Sequence, residues 1–199
     1  MSDTRLALDL ALTIRHDGRG GVADDLDTPE GLTHWVRERS GLLGDASGGG
    51  GWAADAQSLE AVRSLRAAVR ALFAYAVRPG EPSPADAGRL PPLEEALRRL
   101  NATAATVATV PRLDWAPDHD PVAHHHPVGR AAGQSALPAA LARAAIGFLA
   151  GPDRTALRAC HAPRCVRYFV KEHPRQEWCK PSCGNRARVA RHHERHRAT

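Results

Sequence analysis

The chain has 199 residues, 43% apolar and 25% charged, with a formal net charge of +5. That is an ordinary globular composition, long enough for one medium domain with a small one beside it. No apolar run reaches the roughly 18 residues of a membrane span, and Met1-Ser2-Asp3-Thr4-Arg5 lacks the basic, apolar and cleavage regions of an export signal, so the expected location is cytoplasmic.

Leu6–Ile14 is strongly apolar and reads as helix or strand, with helix the expectation. Arg15–Asp25 is a Gly- and Asp-rich turn. Asp27-Thr28-Pro29-Glu30 starts a helix, with Asp27 or Thr28 as N-cap and Pro29 near the first turn; Leu32, Trp35 and Val36 share its face up to Gly41. The run 46–51 is a glycine loop without the G-K-[ST] of a phosphate-binding loop. Asp55–Val77 is the clearest amphipathic helix, with Leu59, Val62, Leu65, Val69, Leu72 and Phe73 at three- and four-residue steps. Arg63, Arg66 and Arg70 on its flank read as a solvated face.

A further helix is expected over Pro84–Asn101, with Pro91-Pro92 dividing it, then a strand or hairpin over Thr106–Trp115 and a polar loop over Asp118–Pro127. Pro138–Ala150 is helical, and Gly151-Pro152 marks a boundary. Asp118-His119-Asp120 and His124-His125-His126 contain metal-ligand types, but consecutive histidines do not converge readily on one ion, and a solvated loop is expected. Trp35 beside His34, and Trp115, are candidates to line an effector pocket, with core packing the preferred reading. No nucleophile elbow, dinucleotide fingerprint or catalytic carboxylate pair occurs, so no enzymatic activity is expected.

The charge is divided. Residues 151–199 carry twelve Lys+Arg and four Asp+Glu, +8, whereas residues 1–150 carry −3. One end is therefore a candidate polyanion binder. The same end holds all four cysteines, Cys160, Cys165, Cys179 and Cys183, spaced C-x4-C, thirteen residues, C-x3-C. A segment of about 40 residues buries too little apolar surface to fold without a staple. Two short-spaced thiol pairs in a cytosolic chain point to one structural zinc, whose four-cysteine shell leaves no open position for catalysis. A disulfide, buried free thiols and an iron–sulfur cluster are the alternatives. Val166–Val170 reads as a strand, with Tyr168, Phe169 and Trp178 forming a mini-core. From Cys183 a helix is expected, with Ser182 as N-cap. Arg186, Val189, Ala190 and His193 face the finger, and Arg188, Arg191 and Arg195 form an opposite stripe able to lie along phosphates.

Two cysteine pairs, an aromatic strand, Trp178-Cys179 and then Cys183-Gly184-Asn185-Arg186 with a basic helix resemble the CGNR zinc-finger proteins, a bacterial family of proposed transcription regulators. Leu8-Asp9-Leu10 with Thr13, the arginine-bearing helix at 63–77 and Leu157-Arg158-Ala159-Cys160 resemble the ABATE-type domain, a mainly helical module proposed to sense ligands. Together the two resemblances cover nearly the whole chain. The sequence has C-x3-C where C-x4-C is more familiar, a short 171–177 loop, and Leu12 where the family often has Asn.

The resemblance implies that Cys160, Cys165, Cys179 and Cys183 bind one zinc ion. It gives Asn185 and Arg186 a special role, in DNA contact or in bracing the knuckle. The expected fold is mainly α with a small hairpin: a helical sensor and dimerisation domain over 1–151, then a treble-clef-like four-cysteine finger over 152–199 ending in a basic helix. The expected function is zinc-dependent binding of double-stranded DNA by a transcriptional regulator. Asn185, Arg186, Arg188, Arg191 and Arg195 are the candidate contacts, with a small-molecule effector and a homodimer as further partners. The alternative is an adaptor that binds RNA or an acidic protein, with an unrecognised enzyme in the N-terminal domain as the remoter one.

Overall fold

The computed structural model describes residues 3–19, 21–47, 51–86, 88–128 and 135–197. The glycines at 48–50 of the expected loop lie outside them. The chain is mainly helical, and each sheet among the described residues has two strands.

Helix α1 (Asp3–Ala11) leads into a small hairpin, β1 (Ile14–His16) paired with β2 (Val22–Asp24). The expected helix thus ends three residues early, and part of the expected turn pairs as strands. Thr13 explains the stop: its hydroxyl donates to the Leu10 carbonyl at 2.8 Å and closes the helix end. Helix α2 (Pro29–Glu38) takes Thr28 as its cap, whose Oγ1 accepts from Gly31 N at 3.1 Å. A short α3 (Ser40–Leu43) follows. Helix α4 (Ala56–Ala76) opens on a capping box in which Ser58 N donates to Asp55 Oδ1 and Asp55 N to Ser58 Oγ.

Pro91-Pro92 does more than divide the next helix. Pro84–Asp86 forms only a 3-10 turn, and α5 runs Leu93–Ala105 with Pro92 as its N-cap. A residue preceding proline is driven out of helical geometry, so the helix begins after the pair. The expected polar loop at 118–127 is corrected: β4 (Val122–Pro127) pairs antiparallel with β3 (Thr109–Asp114), Val110 opposite His126 and Leu113 opposite Ala123. Both strands are largely exposed, so no buried face stamped an alternating pattern on the sequence. Trp115, at 70% exposure, is not core.

Helix α6 (Ala136–Ala150) is the centre of the helical body and contacts α1, α4 and α5. Ala139, Ala142 and Ala145 are fully buried on it, and their small side chains let neighbouring helices approach on several sides. The Phe148 ring packs tilted against Phe73 of α4, with ring centroids 5.1 Å apart. After α6 come β5 (Leu157–Ala159) and β6 (Tyr168–Val170), an antiparallel pair, and then α7 (Pro181–Arg197).

The flank of α4 is not the solvated face its arginines implied. Arg63 is exposed, but Arg66 and Arg70 are buried. Arg66 Nη2 meets Asp24 Oδ2 at 2.6 Å and its Nη1 donates to Thr13 Oγ1 at 2.9 Å. Arg70 Nε meets Asp86 Oδ1 at 2.7 Å. Burying a guanidinium is tolerated only with such partners. Here the partners come from segments 42 and 16 residues away, out of reach of any helical period.

Candidate metal centre and basic helix

The two strands β5 and β6 bring the first cysteine pair to one end of their hairpin. Cys160 N donates to the Arg167 carbonyl at 2.9 Å, and Cys165 N to the Ala162 carbonyl at 2.8 Å, folding 160–167 into a tight knuckle. Arg164 at its turn has φ of 64°. The second pair is set by α7. Its first turn starts from the Lys180 carbonyl, which accepts from Cys183 N at 3.0 Å. Ser182 therefore lies inside the helix and is not its cap.

The four sulfurs lie within 4.8 Å of one another, and among the described residues this is the one converging group of three or more metal-binding side chains. The Cys165–Cys179 sulfurs are 3.7 Å apart and the Cys179–Cys183 sulfurs 3.5 Å. Tetrahedral zinc with zinc–sulfur bonds of 2.3 Å requires about 3.8 Å between sulfurs. The residues fit one such ion, and none of the four is in a disulfide.

Hydrogen bonds from Cys165 and Cys179 favour the thiolate at Cys160 and lower its pKa. The same contacts raise the pKa of Cys165 and Cys179 in turn. Four sulfurs this close share one negative charge poorly, and a dication at their centre lets all four ionise.

Around the knuckle, Phe169 and half-buried Trp178 pack with Ala162 and the cysteines. Tyr168, expected in that mini-core, points the opposite way, as alternation along a strand requires. It is fully buried in the helical body, its ring edge-on to Phe73 at 5.5 Å. Its hydroxyl donates to Asp86 Oδ2 at 2.6 Å, and burial together with the Asp86 charge pushes its pKa up. Leu157 and Ala159 of β5 belong to the same core. The neighbouring Val166 carbonyl accepts from Ser83 Oγ at 2.8 Å and Arg70 Nη2 at 3.4 Å. These seam residues (Arg70, Ser83, Asp86 and Tyr168) had no sequence signal beyond an aromatic strand and a polar residue before a proline.

Gly184 sits where a Cβ would come within 3.0 Å of Trp178 Cδ1, so the glycine of the tetrapeptide lets the indole lie against the helix. Arg186 is half-buried: its Nη2 donates to Cys183 Sγ at 3.1 Å and its Nε to the Pro163 carbonyl at 3.1 Å. One side chain thus ties both halves of the knuckle. Asn185 is exposed, and its Oδ1 accepts from Arg188 Nη1 at 3.3 Å.

The inward stripe of α7 is Cys183 and Ala187, both buried, with Ala190 half-buried. Val189, expected inside, is 56% exposed, and His193 is exposed too. Arg188, Arg191 and Arg195 are all exposed, centred roughly a third of a turn from the inward stripe at 100° per residue. The stripe therefore flanks the packed side and is not opposite to it.

A cleft of about 450 Å³ opens beside the seam, lined among others by Asp9, Thr13, Trp35, Arg39 and Arg167. His34 and Trp35 both border it, and Trp35 is also core at 4% exposure. Trp115 is not among its walls. Arg167 reaches the cleft from the knuckle itself, two residues after Cys165.

No helix among the described residues is long and apolar enough to cross a membrane. Comparison with curated proteins found no match. Residues 156–196 match the CGNR zinc finger, and residues 4–152 match ABATE, described as "Putative stress-induced transcription regulator". Neither family is enzymatic. With the sulfur geometry and a match covering most of its length, this zinc-binding regulatory chain belongs to the ABATE family and carries a CGNR zinc finger after the ABATE domain.

Proposed function

We propose that the protein is a DNA-binding transcriptional regulator. In this reading Cys160, Cys165, Cys179 and Cys183 hold one zinc ion, which supplies a closed structural staple. Residues 1–151 form a sensor and dimerisation domain, and residues 152–199 form the finger. The observation that carries it is the two-sided character of α7: Cys183 and Ala187 are buried against the metal knuckle, while Arg188, Arg191 and Arg195 are exposed together. A helix held on one side and cationic on an exposed flank can follow a phosphate backbone or enter a major groove.

Asn185 stands at the start of that surface, paired with Arg188. Arg186 contributes by fixing the helix, since its guanidinium is already spent on Cys183 and Pro163. A single small finger covers few base pairs, so two copies on adjacent half-sites supply the remaining affinity. The working compartment is the cytoplasm, on the nucleoid when bound. The test is duplex retardation across a salt series with the zinc-loaded full chain. Phosphate contacts make log K fall linearly with log salt, and replacing Arg188, Arg191 and Arg195 with Ala flattens the slope by about 2–3. Undiminished duplex binding by the triple variant removes α7 from the interface. Capture of single-stranded RNA in preference to duplex DNA replaces the reading with an RNA-binding adaptor.

A further inference from the structure

The cleft beside the seam holds an unusual balance of charge. Every acid on its walls is already engaged. Asp25 Oδ1 is 2.6 Å from Arg15 Nε, and Asp9 Oδ2 is 3.2 Å from Arg39 Nε. Glu38 meets Arg39 Nη1 at 3.1 Å and His34 Nε2 at 3.2 Å. Each carboxylate is thus already balanced by a neighbouring cation, and none stands uncompensated for a cationic ligand. Among the described residues, half-buried Arg167 is the cation of this cleft whose side chain has no hydrogen-bond or ion-pair partner. A guanidinium so placed presents a planar fork of donors, the geometry that carboxylates match in pairs. Leu12 and Trp35 supply apolar wall on the same cleft. Trp35 Nε1 is a second donor without an acceptor, but it is screened from the open space, so the anion is assigned to Arg167.

We propose that this cleft binds a small organic monocarboxylate, its carboxylate on Arg167 and its apolar body against Leu12 and Trp35. The volume suits a molecule of metabolite size. The inference deepens the sensing role proposed above for residues 1–151 by giving it a site and a ligand class. It also places the ligand on the finger. The Arg167 carbonyl holds Cys160 N, and the residues on either side of it are bonded to Ser83, Arg70 and Asp86. An anion seated on Arg167 thus bears on the knuckle that carries the first cysteine pair.

The test is calorimetric titration of the zinc-loaded full chain with acetate, hexanoate, benzoate and indole-3-acetate, each beside its uncharged amide, with inorganic phosphate as the simple anion. At least one of the larger acids binds saturably at one site per chain, its amide binds at least tenfold more weakly, and phosphate does not compete. Arg167→Gln weakens the acid about 10- to 100-fold while zinc content and helicity stay unchanged. Leu12→Trp, which fills the apolar wall and leaves Arg167 in place, also blocks binding. The proposal is overturned if no acid binds better than its amide, if phosphate competes equally, or if Arg167→Gln binds as the parent does. These measurements use no DNA, so their failure leaves the nucleic-acid reading standing, and failure of duplex retardation leaves the cleft standing.

Discussion

Tyr168 donates its hydroxyl hydrogen to Asp86 across 82 residues of sequence, at 2.6 Å, and so joins the zinc finger to the helical body through a buried bond. Asp86 also holds Arg70, and Ser83 N donates to the Tyr168 oxygen at 3.3 Å, so one carboxylate and one phenol tie three segments together. The finger is thereby more than a tethered module.

Tyr168→Phe keeps the ring against Phe73 and removes the bond. It leaves Asp86 one partner short and Ser83 N unsatisfied in a buried site. The expected loss is about 2 kcal/mol of stability, read as a lower denaturant midpoint at unchanged slope. A variant as stable as its parent would mean the seam contributes no energy.

Removing zinc with a chelator separates the two halves of the finger. Helix α7 is held mainly through Cys183, Ala187 and Arg186, so its amides lose protection from hydrogen exchange. The strands β5 and β6 keep theirs, because Leu157, Ala159 and Tyr168 sit in the helical core. Simultaneous loss of protection in both halves counts against this division.

Arg186→Ala deletes the donor to Cys183 Sγ and the strap to Pro163. Zinc transfer to a competing chelator becomes about tenfold faster, the worth of one charge-assisted bond. Arg188→Ala leaves that rate unchanged and lowers only the salt slope of DNA binding. Equal zinc release from parent and Arg186→Ala would assign the residue elsewhere.

Acid sensitivity follows from Asp24. Burial raises its pKa, but the hydrogen bond and charge of Arg66 outweigh that and hold it below the ordinary 3.8. A carboxylate depressed on folding contributes stability that is complete above its unfolded pKa and fades as pH falls through the folded one. The contribution therefore persists to about pH 4 and is lost below it. Asp24→Asn is destabilised by roughly 2 kcal/mol at pH 7 and flattens this part of the pH profile, measured by urea unfolding between pH 7 and 2.5. An undiminished acid slope in Asp24→Asn would assign that slope to another group.

Local chemistry accounts for what was legible from the amino-acid order alone. The cysteine spacing identified a metal staple, because ligands four or five residues apart meet through short turns. The periodicity of α4 marked Leu59 to Phe73 as core, and Asp27-Thr28-Pro29-Glu30 marked a helix start, where the structure makes Thr28 the cap. The concentration of arginine after Cys183 marked the basic helix, and Trp35, with core and pocket wall as its two readings, serves as both.

Only the tertiary structure decided which way each ambiguous side chain faces. Arg66 and Arg70 carry the period of a helix flank, and whether that flank meets water or an acid depends on Asp24 and Asp86, brought in by the fold. Tyr168 and Phe169 are adjacent aromatics, and the placement of β6 sent one to the helical core and the other to the knuckle. Val189 lies outside and Ala187 inside because the Cys183 anchor sets the rotation of α7. The sequence by itself determined a helical body, a four-thiolate site and a basic helix, since each rests on residues close along the chain. Their joining at Asp86, Ser83 and Arg70, and the free guanidinium of Arg167 in the cleft, depend on contacts between distant segments, which no local pattern encodes.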